Sequence, residues 1–185
     1  MDATIVARWR AWSGDGLQHV VVTQRADVIV ADGVVLFTDE RLHFAATYRI
    51  ECDAAWHVTR THVRLIGVDM SIDLTSDGAG HWRDGEGTTL PRLDGGIDVD
   101  ISVTPFTNTL PIRRLGLTQG QTGDIRAVYV HLPALTVSVD PQRYTCLKSG
   151  QQYRYESLDS DFVRDIDVDS DGLVVTYPGL FTRVI

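Results

Sequence analysis

Asp98 and Asp100 have a spacing that acid–base chemistry could use. In an extended chain, side chains two residues apart point to the same face, and a rise of about 3.3 Å per residue sets these carboxylates about 7 Å apart. An inverting glycosidase uses two carboxyl groups roughly 6.5–9.5 Å apart. Similar patterns recur at Asp69 and Asp73, and at Asp165, Asp167 and Asp169. This repetition favours solvated strand faces over a catalytic pair.

A short segment between two prolines follows this strand and carries the only asparagine of the chain. Pro105 and Pro111 keep the residue before each of them extended, so the strand must end here. In one interpretation Asn108 caps a helix, and Arg113 or Arg114 pairs with a strand carboxylate and holds the helix to the sheet. In the other, the guanidinium groups bind the phosphate or sugar of an amphiphilic ligand. The sequence favours the first interpretation.

Other motifs for chemistry are incomplete. Asp167, Asp169 and Asp171 match the opening of a calcium loop, but the twelfth position, which needs a glutamate, is Pro178. We therefore interpret this segment as an Asp-Gly hairpin turn. The histidines lack zinc-ligand spacing, no serine lies in a G-x-S-x-G motif, and the cysteines lack a nucleophile motif. We expect no enzyme activity, no metal ion and no cofactor.

Aromatic side chains on the strands could pack in the core, line a lipid cavity or stack on sugar rings. We expect core packing for most of them. Trp82 is a different case, because it lies between a Gly-His pair and an Asp-Gly turn, where an exposed indole would need a function. The residues predicted to contact a ligand are Trp82, Asn108, Arg113, Arg114, Tyr155, Tyr177 and Phe181.

The composition limits the partners of the chain. Its 185 residues suit a single domain, which we place over residues 1–185. The formal net charge of −8 disfavours nucleic acid and anionic membrane surfaces, because phosphate binding needs clustered lysine and arginine. No stretch reaches the roughly 20 apolar residues of a membrane span, and the N-terminal residues lack the apolar run of a secretory signal. We expect a cytoplasmic protein with reduced cysteines; the oligomeric state stays open.

Strand patterns dominate the elements that must position these residues. Asp-Gly pairs recur along the chain and provide the backbone angles of tight hairpins. Alternating runs between them predict about a dozen strands, among them residues 135–139, 152–157 and 163–168. Helical features are confined to about residues 107–115, with Gly116 as terminator. Because about twelve strands cannot form a flat open sheet, the sequence predicts one long sheet that wraps around one short helix.

Residues 94–117, read D-G-G-I-D-V-D-I-S-V-T-P-F-T-N-T-L-P-I-R-R-L-G-L, resemble the bacterial family called putative glycolipid-binding proteins. Shorter matching segments lie at residues 80–82, 142–145, 153–156, 168–174 and 177–181. The resemblance implies a spiral β-roll, in which a long antiparallel sheet of about 12–15 strands winds around one helix, similar to carriers of lipoproteins or glycolipids. The chain has Gly96 where we expect a cysteine in many relatives, so any thiol function is absent at this position.

Three functions stay open at this point. The first is a non-enzymatic carrier that holds the acyl chains of a lipid or glycolipid in an apolar interior, while Arg113 or Arg114 meets the head group. The second is a hydrolase that uses strand carboxylates with His81 or an arginine, and the third is an interaction domain with a packed interior. A cavity of several hundred Å³ lined by aliphatic groups supports the carrier, whereas a wet cleft with raised carboxylate pKa values supports the enzyme.

Overall fold

The computed structural model describes residues 2–185, which form fourteen strands, one α-helix and two 3₁₀ helices. The strands are β1 (Ala3–Ala11), β2 (Leu17–Gln24), β3 (Val28–Thr38), β4 (His43–Asp53), β5 (Val58–Leu65), β6 (Ser71–Ser76), β7 (Trp82–Asp84), β8 (Asp98–Ile101), β9 (Thr122–His131), β10 (Thr136–Lys148), β11 (Gln152–Ser157), β12 (Val163–Val168), β13 (Val174–Tyr177) and β14 (Phe181–Arg183). The helix is α1 (Thr109–Leu115), and the 3₁₀ helices span Pro91–Leu93 and Pro105–Asn108. The predicted mostly β fold with one short helix is confirmed.

The strands of residues 2–185 join in one sheet, in the order β7-β6-β5-β4-β3-β2-β1-β14-β13-β12-β11-β10-β9-β8. In this part of the chain the pair β8–β9 is parallel, and the other neighbouring pairs are antiparallel. The prediction of an antiparallel sheet is therefore wrong at this one pair. Residues 102–121, which include α1, connect the two strands, and a crossover of this length lets the second strand run in the same direction as the first.

Two clusters of buried residues stabilise the sheet, and they lie on opposite faces of β8 and β9. Val128 and Val130 of β9 belong to the larger cluster, whereas Ile125 and Ala127 belong to the smaller one, because alternate residues of a strand point to opposite faces. Both faces of this end of the sheet are consequently covered. The predicted solvated face of β8 is therefore wrong: Asp98 is only 1% exposed.

The segment before α1 enters the larger cluster. Thr104 Oγ1 accepts a hydrogen bond of 3.2 Å from the Phe106 backbone N–H, and Pro105 begins the 3₁₀ helix, where a missing N–H costs nothing. Phe106 and Leu110 are fully buried, and the Phe106 ring stacks at 6.3 Å on the ring of Tyr48. This apolar insertion fixes the path of the chain between β8 and β9.

The sequence prediction is confirmed at the C-terminal end of α1 but not at its N-terminal end. Gly116 follows the last helical residue with φ 55°, as its predicted role of terminator requires. The predicted cap at Asn108 is wrong, because its side chain makes no bond to a helix N–H, and Thr104 instead caps the preceding 3₁₀ helix. No helix within residues 2–185 is long and apolar enough to cross a membrane.

Candidate functional site

A cleft of about 520 Å³ opens on the part of the sheet that runs from β8 to β14. Strand register sets its floor: Asp100 of β8 lies opposite Tyr129 of β9, and Tyr129 lies opposite Ser138 of β10. Opposed residues of neighbouring strands share a face, so these three side chains point to the same side. Asn108, at the end of the second 3₁₀ helix, also lines the cleft.

The walls of the cleft are aromatic. The ring of Tyr155 lies 5.9 Å from the ring of Phe162 and 6.3 Å from that of Tyr177, and Tyr177 lies 6.5 Å from Phe181. These tilted and edge-to-face arrangements are the ones that aromatic quadrupoles prefer. Burial raises the pKa of Tyr155 and of Tyr177, so both hydroxyls stay neutral donors. The result is one continuous wall of rings with polar tips.

A hydrogen-bonded bridge joins two carboxylates that also line the cleft. Gln142 Nε2 donates hydrogen bonds to Asp100 Oδ2 and to Asp140 Oδ2, both at 2.8 Å, and Thr107 Oγ1 donates to Asp100 Oδ1 at 2.8 Å. Burial, with a smaller contribution from the charges of Asp140 and Asp98, raises the pKa of Asp100 to about 6, although the hydrogen bonds from Thr107 and Gln142 lower it. Burial also raises the pKa of Asp140.

No arginine or lysine among residues 2–185 lines this cleft. Its charged and titratable lining groups are Asp100, Tyr129, His131, Asp140, Tyr155, Asp159 and Tyr177. The guanidinium of Arg164 stacks at 4.6 Å on Phe162, but it is not part of the lining and donates to the backbone oxygens of Val163 and Pro178. The cleft is therefore acidic. The described residues contain no group of three or more histidine, cysteine, aspartate or glutamate side chains that could hold a metal ion.

The two arginines of α1 lie outside the cleft. Arg114 makes a two-pronged ion pair with Asp98, with Nε–Oδ1 at 3.0 Å and Nη2–Oδ2 at 2.5 Å. This contact confirms the predicted pairing of helix and strand. The guanidinium of Arg113 lies 5.1 Å above the ring of Trp56. The two arginines line separate, smaller hollows, so this cleft does not have the arginine-lined mouth that the sequence predicted.

Trp82 and His81 also lie away from the cleft. Trp82 is 1% exposed, and its Nε1 donates a hydrogen bond of 2.7 Å to the backbone oxygen of Gly96, so the indole is a buried structural group and does not line the cleft. Gly96 itself is tightly packed, because a Cβ there would lie 2.7 Å from Val128 Cγ2. His81 pairs with Asp77 in an exposed turn, with 2.7 Å between Nδ1 and Oδ2.

Comparison with known protein families matches residues 6–183 to the family described as "Putative glycolipid-binding". The chain belongs to this family. It is also similar to the crystal structure of a DUF1089 family protein from Pseudomonas aeruginosa, with 40% sequence identity and a TM-score of 0.78, over 90% of this chain and 92% of that chain. None of the curated proteins gives a significant match. The resemblance predicted from the sequence is confirmed.

In this member of the family, four of the seven predicted ligand residues come together. They are Asn108, Tyr155, Tyr177 and Phe181. Sequence reasoning missed Tyr129, His131, Asp140 and Phe162, which also line the cleft. The available signal was the alternation of Tyr129 and His131 along one strand, which places them on one face. Nothing local connected that face to Asp140 or Phe162, because strand pairing alone brings them together.

In this family member the side chain of Asn108 lines the cleft and also forms hydrogen bonds with the buried core. It accepts a hydrogen bond of 2.9 Å from the buried hydroxyl of Tyr144, and its Nδ2 donates to the Pro105 backbone oxygen at 3.2 Å. We expect Asn108→Ala to lower the free energy of unfolding by about 1–3 kcal/mol, because it leaves the Tyr144 hydroxyl buried without a partner. Urea denaturation followed by circular dichroism measures the change.

The control for this prediction is the same substitution in a Tyr144→Phe background. That background lacks the hydroxyl, so Asn108→Ala should cost less there by about 1 kcal/mol. Equal losses in the two backgrounds would show that the hydrogen bond between Asn108 and Tyr144 does not stabilise the fold.

Proposed function

We propose that this protein binds the sugar head group of a glycolipid in the cleft, as a binding protein and not as an enzyme. The observation that carries the proposal is that the ring wall and the bridged carboxylates of Asp100 and Asp140 line the same cleft. Carboxylate and amide oxygens accept hydrogen bonds from sugar hydroxyls, and aromatic faces pack on the apolar C–H faces of a sugar ring. Membership of the family supports a ligand with a lipid part.

The residues that line the cleft also indicate where the lipid part of the ligand lies. The volume of about 520 Å³ is within the range of small-molecule sites, roughly 300–1,000 Å³. Its lining is mainly aromatic and polar, with only three aliphatic residues, and protein side chains such as Phe106 and Leu110 fill the interior beside α1. We place the acyl chains at the rim, against Phe181, which is half-buried, and Leu180, which is 37% exposed.

A hydrolase is the second candidate, and the raised pKa of Asp100 favours it. A carboxyl group with a pKa of about 6 can act as a general acid, and retaining glycosidases hold two carboxyl groups about 5–5.5 Å apart. Two oxygens that bond to the same Gln142 nitrogen are close enough for such a pair. Thr107 and Gln142, however, already hold both oxygens of Asp100, which supports a positioning role for this carboxylate.

Binding is tested with octyl β-D-glucoside below its micelle concentration, by isothermal titration calorimetry. We expect saturable binding of one molecule per chain, which Phe181→Leu weakens about 3–10-fold through loss of a ring face. The matched control is Phe37→Leu, because Phe37 is also half-buried but stacks on Phe44 away from the cleft, with ring centroids 5.0 Å apart. Absence of binding to a panel of alkyl glycosides would overturn the proposal.

The same preparation separates the two candidates. We expect no release of sugar from aryl or alkyl glycosides on prolonged incubation with the wild-type protein. Sugar release that Asp100→Asn abolishes would instead establish the hydrolase.

A further inference from the structure

The carboxylates of the cleft differ from the other strand carboxylates in what they bond. Asp100 and Asp140 bond to the neutral donors Thr107 and Gln142, and Asp159 accepts from the Ser157 hydroxyl. Elsewhere the sheet sets arginines against aspartates, in the pairs Arg49–Asp32, Arg60–Asp73, Arg143–Asp124 and Arg154–Asp165. The ion pairs found within residues 2–185 include none with Asp100, Asp140 or Asp159.

Each of the bridged carboxylates keeps hydrogen-bonding capacity. An ionised carboxylate has about four lone-pair sites; Gln142 and Thr107 take two on Asp100, and Gln142 takes one on Asp140. Two anions that share one amide donor repel each other, and a cation beside them would offset that repulsion. Burial and neighbouring charge raise the pKa of Asp100 to about 6, in keeping with a site that lacks its counter-charge.

Besides carboxylates, a cation site can use the faces of aromatic rings, and the ring wall of the cleft provides them. The faces of aromatic rings attract ammonium groups, and cages of several rings bind quaternary and methylated amines. The guanidinium of Arg164, 4.6 Å above the ring of Phe162, is a cation held in this way at the edge of the same wall. The rings of Tyr129, Tyr155, Tyr177 and Phe181 line the cleft itself.

We propose that the head group selected by this cleft carries a positively charged amine, as an amino sugar does, held between the Asp100–Asp140 bridge and the aromatic wall. The inference rests on the sugar-binding function proposed above. A head group with a phosphate, sulfate or carboxylate is disfavoured, because three aspartates line the cleft and no arginine or lysine among residues 2–185 does. The sequence predicted arginines that bind the phosphate or sugar of an amphiphilic ligand, whereas the carboxylates of this cleft suit an amine.

Three matched ligands test this inference by calorimetry at pH 7. They are octyl β-D-glucoside, its 2-amino-2-deoxy analogue and octyl β-D-glucuronide, which differ mainly in head-group charge. We expect the amine to bind about 10–100-fold more tightly than the glucoside, because it gains charge-assisted hydrogen bonds and ring contacts. We expect the glucuronide to bind most weakly.

Single substitutions test whether the carboxylates of the cleft cause this preference for the amine. Asp140→Asn should reduce the ratio of amine affinity to glucoside affinity by about 10-fold, because it removes one charge next to the amine. The matched control is Asp124→Asn, which removes one negative charge from an exposed site outside the cleft and should leave the ratio unchanged.

The outcomes are distinguishable. Equal binding of amine and glucoside would overturn the inference and leave the sugar-binding function standing, and so would tightest binding of the glucuronide. Failure of all three ligands to bind would overturn both proposals.

Discussion

Arg114→Ala is expected to lower the free energy of unfolding by about 3–5 kcal/mol, because it leaves the Asp98 carboxylate buried without its partner. Asp98 is 1% exposed and the Arg114 side chain 13%, so water replaces the lost contact poorly. Burial raises the pKa of Asp98, and the guanidinium opposes that change. Urea denaturation at pH 7 measures the loss, and it should be the largest among single substitutions of charged residues.

Two variants control this prediction. Arg143 makes a similar two-pronged pair with Asp124, but the side chains are 39% and 54% exposed, so Arg143→Ala should cost only about 0–1 kcal/mol. The double variant Asp98→Leu/Arg114→Met should recover most of the lost stability, because it removes both buried charges together. A loss for Arg114→Ala no greater than that for Arg143→Ala would show that the pair does not anchor α1.

Asp100→Asn is expected to raise the free energy of unfolding by about 2–3 kcal/mol at pH 8. The pKa of Asp100 is raised from its ordinary 3.8 to about 6, so the folded protein binds this proton more tightly than the unfolded chain. Wild-type stability should therefore fall as pH rises from about 4 to about 6, and stay lower above that range. The asparagine is neutral throughout, so its advantage should be present above pH 6 and vanish near pH 4.

Denaturation curves at pH 4 and pH 8 test whether the substitution stabilises the protein only at the higher pH. The hydrogen bonds can survive the substitution, because an amide can accept from Gln142 and donate to Thr107. Asp124→Asn is the matched control: hydrogen bonding from Arg143 lowers the pKa of Asp124, so its loss should slightly reduce stability at pH 8. An Asp100→Asn protein less stable than wild type at pH 8 would contradict the prediction. A carboxylate that lowers the free energy of unfolding is more easily explained by a role in ligand binding than by a role in the fold.

The strands were the part of the fold that the sequence predicted best. Gln152–Ser157 and Val163–Val168 were predicted with the bounds that the structure shows, because each alternates cleanly between two turns. In contrast, β10 was predicted only as residues 135–139, but it continues to Lys148. It passes through Pro141, which lies opposite Arg126 and has no N–H to donate to a neighbouring strand. The alternation of apolar and polar residues alone could not show that the strand continues through this proline.

The candidate site was predictable only in pieces. Alternation placed Asp98 and Asp100 on one face correctly, but their burial depends on α1 and on the second cluster, which the local sequence does not contain. The pairing Asp100–Tyr129–Ser138 joins three separate strands through a parallel crossover, and no spacing in the chain encodes that register. The prediction that Arg113 or Arg114 pairs with a strand carboxylate succeeded for Arg114, because helix and strand are adjacent in sequence.

The pairing of β1 with β14 has a consequence for synthesis on the ribosome. Until β14 emerges, one side of β1 presents unpaired N–H and C=O groups, and an open strand edge invites pairing with other chains. Arg8 and Arg10 alternate along β1 and are exposed. Charge on an edge strand discourages such intermolecular pairing, so these arginines would protect the nascent chain during the interval before β14 is made.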